Sequence, residues 1–383
     1  MTAFRLKLLL SLSFLITAAA CAGDVSETGT KREAVTSCPA SPAPKLMTHA
    51  ICLCDRFDAV GKGLTTTAPN GGEANVAING QASVVGHYEI DGSLLAYKGI
   101  SGVGRLTVRD DAITFGSVDG VGELAVGRDL AVKGDLNSVG MIAVGGLTKV
   151  GGLSSLVGTS QLTRAPFDVV DAKPCGCDAA TKLDIAQKIA DAKANTQVAR
   201  LEGIDSVGAH VQTLKSGSYY LAGGIRAVGS SKLTIEGGVA LFVDGDLDTV
   251  GDGLFDVKAG ATLDLYVNGK ISSVGKSVFT SGSPGAVRLY LGGANPSFSG
   301  VGTQDLTLSI YAPDAELNLV GDTRINGSVF AKSIGGVGHL QVDYAAPAAP
   351  APALCKPVIA GGGGNTAPAG NAPGTPGSGD GIN

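Results

Sequence analysis

The sequence predicts an all-β protein, a parallel β-solenoid, and three observations carry that prediction. Val-Gly returns at Val85, Val103, Val121, Val139 and Val157, each 18 residues after the last. Beyond residue 240 a looser series of short strands carries an aromatic side chain at matched positions. Glycine supplies 58 of 383 residues, while tryptophan is absent and aromatics are 5% against 44% hydrophobic. Fixed internal periods mark stacked architectures, and this mix suits an aliphatic core with many corners needing positive φ.

The 18-residue block is clearest in VDGVGELAVGRDLAVKGD, residues 118–135. Leu124 and Val126 alternate, then Leu130 and Val132, and Leu136 leads to Val139. That spacing gives a short strand about every six residues, three to a block. The residue five beyond each repeated valine is apolar: Ile90, Val108, Val126, Val144 and Leu162. Such strands are too short to bury a face alone, so each coil must cover the next. The glycine after each valine is expected at a corner. Propeller repeats run nearer 40 residues, which excludes that rival. This N-terminal solenoid is assigned to residues 49–171.

The repeat stops at APFDVVDAKPCGCD. A CGC junction and an amphipathic helix follow over 172–202, with Leu183, Ala186, Ala190, Ala194, Val198 and Leu201 recurring at three or four. Asp178 is the expected N-cap of a helix of roughly 20 residues. A C-terminal solenoid with coils of 19–24 residues is assigned to 203–343. Its segments ALFVDGDL, LDLYVNGKI, VRLYLGGA, LSIYAPDA and GSVFAKSI align Phe242, Tyr266, Tyr290, Tyr311 and Phe330. Strand alternation sends Leu263, Leu265, Val267, Leu289, Leu291, Leu306, Leu308 and Ile310 inward. The five aromatics then form an outward ladder. Three readings of it are open: cover by the helix, a stacking platform for sugar rings or a partner protein, or rings merely packing on each other.

Residues 1–20 read as an export signal, with Arg5 and Lys7 before an apolar run. Ala18-Ala19-Ala20-Cys21 resembles a lipobox, making Cys21 the expected lipidated N-terminus, with a leader over 21–48. Ala22 after it points to the outer membrane or cell surface. Residues 344–383 are an Ala/Pro/Gly-rich tail. Net charge is −5; without Arg5 and Lys7, 27 basic residues face 34 acidic ones. A mildly acidic body with no basic stripe argues against nucleic acid. Export makes disulfides the expected state of Cys38, Cys52, Cys54, Cys175, Cys177 and Cys355. The pairs CLC and CGC are expected to bridge each other and Cys38 to join Cys355. A four-thiolate metal site is the alternative.

No nucleophile elbow, zinc-protease helix, P-loop or dinucleotide fingerprint occurs, so no catalytic residue and no cofactor are assigned. The acidic run VDGDLDTVGDGLFD offers Asp244, Asp246 and Asp248 as a weak calcium candidate. It departs from a calcium loop at Thr249 and Phe255, where glycine and glutamate are needed.

The PCGCD junction, the alanine-rich helix, ALFVDGDL and GSVFAKSI resemble a family of uncharacterised bacterial β-solenoid surface lipoproteins. The likeness spans roughly residues 170–343 and implies a domain of unknown function. The Val-Gly block also resembles the polymer-forming coils of bactofilins. Neither likeness transfers a catalytic residue. The expected function is a non-catalytic scaffold or adhesin of the cell envelope, held to the membrane by lipid. Self-association and envelope polysaccharide are its expected partners. The alternatives are a polysaccharide-binding module using the aromatic ladder and, third, a β-helix carbohydrate-active enzyme.

Overall fold

The computed structural model describes residues 47–347, apart from 70, 252, 277, 278 and 282. The export signal, Cys21, Cys38, Cys355 and most of the leader and tail lie outside the described residues.

One 18-residue coil shows how the sequence folds. Residues 100–103 form one side, here called A, with Ile100 inward and Ser101 and Val103 outward. Gly104, at φ 138°, turns the chain onto side B, where Leu106 and Val108 point inward. After Arg109-Asp110-Asp111 the strand Ala112–Thr114 forms side C, with Ala112 and Thr114 buried. The chain then turns at Phe115-Gly116 and begins again. The sequence predicts three separate strands. Sides A and B instead form one strand, Gly99–Val108, bent at its glycine. Each coil pairs in parallel with the next at an offset of 18, as Val103 does with Val121.

Side chains also tie the corners. Asp111 Oδ1 accepts from the Asp129 amide at 3.0 Å, Asp129 from Leu147 at 2.8 Å and Asp135 from Leu153 at 2.8 Å. These carboxylates satisfy backbone donors that a turn leaves free.

The coils are not stacked in chain order. Ile51–Leu53 lies between Val76–Ile78 and residues 329–331 of the last strand. Phe57–Thr67 lies between Gln81–Ile90 and residues 334–343. The final coil therefore sits on the first, and the two halves form one solenoid of about 13 turns with coils of about 21 residues. The Tyr344 hydroxyl donates to the Met47 carbonyl across this seam at 3.2 Å. The CLC strand therefore lies in the middle of the stack. The outermost coils are those at 148–165 and 199–215.

A single apolar core runs through both halves. Leu263, Leu265, Val267, Leu289, Leu291, Leu306, Leu308 and Ile310 are fully buried in it, as the alternation predicts. The helix, α1, is shorter than predicted, covering Ile185–Ala194 with Asp184 as its N-cap. Asp178 starts only one turn, its carbonyl accepting from Thr181 and Lys182. The Leu183 amide then donates to the Tyr311 hydroxyl at 2.9 Å, which takes that donor out of any helix.

Candidate binding face

Side C is occupied. Its outward column runs Tyr220, Phe242, Tyr266, Tyr290, Tyr311 and Phe330, then Cys52, Ala77, Leu95 and Ile113 across the seam. Phe242, Tyr266 and Tyr290 stack at 4.8 and 4.5 Å between ring centroids, and Tyr311 stacks on Phe330 at 5.2 Å. The crossover that returns the chain from residue 165 to 199 covers this column. Ile185, Ile189 and Ala192 of α1 pack on the rings. An added Cβ at Gly292 would lie 2.8 Å from the Ile185 Cβ, so the glycine permits that approach.

The crossover is fastened along its length. Lys149 holds Asp168 at 2.8 Å, and Asp171 takes both Lys133 at 2.7 Å and the Tyr97 hydroxyl at 2.8 Å. Asn79 exchanges two hydrogen bonds with the Cys175 backbone, at 2.8 and 2.9 Å. Cys52 bridges Cys175 and Cys54 bridges Cys177. The C-x-C spacing has a geometric reason: alternate residues of a strand point the same way, here outward from side C. All four thiols are in disulfides, which removes the metal-site alternative. Disulfides of this kind belong to an oxidising, extracytoplasmic compartment. Lys182 reaches Asp314 at 2.6 Å and Lys193 reaches Asp244 at 3.3 Å.

The sugar-stacking platform expected at Phe242, Tyr266, Tyr290, Tyr311 and Phe330 is therefore corrected. Tyr290, Tyr311 and Phe330 are buried and the other two partly so. Burial pushes the Tyr290 phenol up to about 12. Tyr220 is a sixth rung that the alignment missed, although SYYLAGG matches ALFVDGD in pattern.

The calcium candidate also fails on geometry. Asp244 accepts from Asn268 at 2.9 Å and from the Tyr220 hydroxyl at 2.8 Å. Those bonds, with Lys193, hold its carboxyl below the usual carboxylate range. Asp246 accepts from the Lys270 amide at 2.7 Å, a corner tie like Asp111 and Asp129. Asp248 stands on side A, in register with Arg226 and Ser272. Among the described residues no three His, Cys, Asp or Glu side chains converge as a metal shell.

Side A is open. The register position before each corner glycine is valine at every rung: Val207, Val228, Val250, Val274, Val301, Val320, Val337, Val60, Val85, Val103, Val121, Val139 and Val157. The link from Val320 to Val337 lies within one long strand, where an added Cβ at Gly338 would meet the Gly321 carbonyl. Of sixteen exposed large apolar side chains among the described residues, eleven are in this one column. Rungs are about 4.8 Å apart, so the ladder is about 58 Å long. Two residues before each valine, a second column carries mainly short polar groups, such as Ser272, Ser299, Asn318, Ser83 and Ser101. Every valine is followed by a glycine at positive φ. The sequence reading found five of these rungs. The other eight were also written as Val-Gly, at irregular intervals. Side B is mixed, with pairs such as Arg105–Glu123 at 2.6 Å.

Fold and face together define a class: an end-joined parallel β-solenoid with one side strapped and one side presenting a valine ladder. Residues 175–347 match DUF7305, a domain of unknown function. That match covers the crossover helix and the C-terminal half. Two solved structures are similar to the chain. One is the Shewanella frigidimarina ice-binding protein_1 DUF3494 domain, at 15% identity and TM-score 0.26, covering 76% of this chain and 94% of that one. The other is an ice binding protein from an Antarctic bacterium of the Flavobacteriaceae, at 11% identity and TM-score 0.17, covering 76% and 81%. No curated protein matches the sequence.

Proposed function

We propose that this protein is an exported, envelope-held rod that works by adhesion rather than catalysis, with side A as its contact surface. The observation that carries this reading is the valine column of side A, with eleven exposed side chains in one register. Soluble proteins rarely leave so long an apolar stripe open unless something binds it. A rigid periodic array also suits an extended flat partner better than a small molecule, which binds in a concave pocket. Met47 and Tyr344 lie side by side at the corner between B and C. That corner is opposite side A. A lipid on Cys21 would hold the rod to the membrane.

The test uses the full chain and a panel of insoluble surfaces: crystalline cellulose, chitin, peptidoglycan sacculi and growing ice. Val85→Lys, Val103→Lys and Val337→Lys together place charges on open side chains at the centre of the ladder. Retention on the surface that binds wild type should fall at least about tenfold, or about 1.4 kcal/mol. The melting temperature should hold, because these side chains are not in the core. Equal retention by the triple variant would sink the reading. A second reading, binding by the aromatic ladder, has lost its exposed surface to the crossover.

A further inference from the structure

We infer that the two ends of the solenoid are complementary and that a second copy of this chain stacks on the first, head to tail. Interior coils are paired with both neighbours along sides A and C, but among the described residues the outermost strands have one partner each. Ser154–Ala165 pairs only with the coil before it. At the other end Ala199–Leu201 and Ile204–Gly208 pair only with the coil after them. Open parallel edges of this kind template further pairing.

Apolar exposure is greatest at these two ends. On the ladder-forming strands and their flanks, Leu153 is 77% exposed at one end, and Val207 and Val211 are 84% and 70% exposed at the other. Inward residues that are buried in interior coils are only partly covered here, among them Leu156 and Leu162 at one end and Leu201 at the other. A stacked coil would cover all of them.

The ends also match in phase. Side C at 148–150 would receive 199–201, side A at 154–158 would receive 204–208, and side B would receive 211–215. Val157-Gly158 then meets Val207-Gly208, which continues the valine column without a break. The molecule already contains a joint of this design. At the seam, residues 329–343 dock on 51–67 by the same strand pairing, with no short connection between them. The contact is heterologous, so it propagates into an open filament rather than closing on a dimer.

Light scattering over a concentration series and negative-stain electron microscopy of the full chain test this. Wild type should grow in mass with concentration and form rods in multiples of about 60 Å, the length of 13 rungs. Val207→Lys with Val211→Lys at one end, and separately Leu153→Lys at the other, should leave single short rods. Val103→Lys, in the middle of side A, should assemble like wild type. Because Val103 lies on the proposed adhesive face, failure of adhesion and failure of stacking are read independently. The inference is overturned if wild type stays a single rod at every concentration. It is also overturned if the end variants and Val103→Lys associate alike, since association would then come from the ladder or the lipid.

Discussion

Gly122→Ala should lower the stability of the fold by about 4 kcal/mol, among the larger effects of a single methyl. Two costs combine. Gly122 sits at φ 136°, where a side chain adds about 1–3 kcal/mol. The added Cβ would also lie 1.9 Å from the Gly104 carbonyl oxygen of the preceding coil. That oxygen belongs to the pairing between coils, so it cannot move aside without opening the ladder. Gly120→Ala is the matched control two residues away. It has no atom within 4 Å of the new methyl and lines a cavity of about 40 Å³. It should leave stability unchanged or raise it by about 0.5 kcal/mol. Denaturant titration of both variants separates a corner requirement from a general intolerance of alanine. Equal effects would mean that the corner conformation is not what fixes glycine after each valine.

Tyr311→Ala should cost about 3–5 kcal/mol, the range for removing a buried large aromatic. Tyr311 is fully buried between Tyr290 and Phe330, and its hydroxyl accepts from the Leu183 amide. Removing it leaves a cavity under the crossover and an unpaired donor where the helix begins. Tyr311→Phe isolates the second part and should cost about 1 kcal/mol. If Tyr311→Ala melts like wild type, the rings are not the seat of α1 and the sugar-platform reading regains its footing.

Much of the coil architecture was legible because a β-solenoid repeats its contacts at the period of its sequence. The 18-residue spacing placed Leu124, Val126, Leu130 and Val132 inside, where they are. The aromatic column was legible for the same reason, one ring per rung. The two C-x-C pairs could be matched because alternate residues of a strand share a face. The seam was not legible. Ile51–Leu53 and Val329–Ala331 lie at opposite ends of the described chain, and pairing so remote leaves no local period. Eight of the thirteen valine rungs were hidden by insertions between strands, such as the register shift between Tyr290 and Ser297. The overlong helix arose from an alanine periodicity that continues past both true ends. The Tyr311 hydroxyl interrupts it on one side, and Asn195, bonding the Gln197 amide, stops it on the other. The acidic run looked like a ligand shell because corner carboxylates that tie one coil to the next also recur in sequence.

Side A is one ladder only because the seam between the first and last coils makes it continuous. The distance between spin labels at Val139→Cys and Val250→Cys tests this most directly. Both side chains are exposed on side A, so labelling should not disturb the core. Nine rungs separate them in the end-joined stack, which predicts a narrow distribution centred at about 43 Å. If the C-terminal half instead followed the coil at 148–165 in chain order, four rungs would separate them, at about 19 Å. A peak near the shorter distance, or a broad distribution from two halves that move freely, would contradict the single valine face and the function proposed for it.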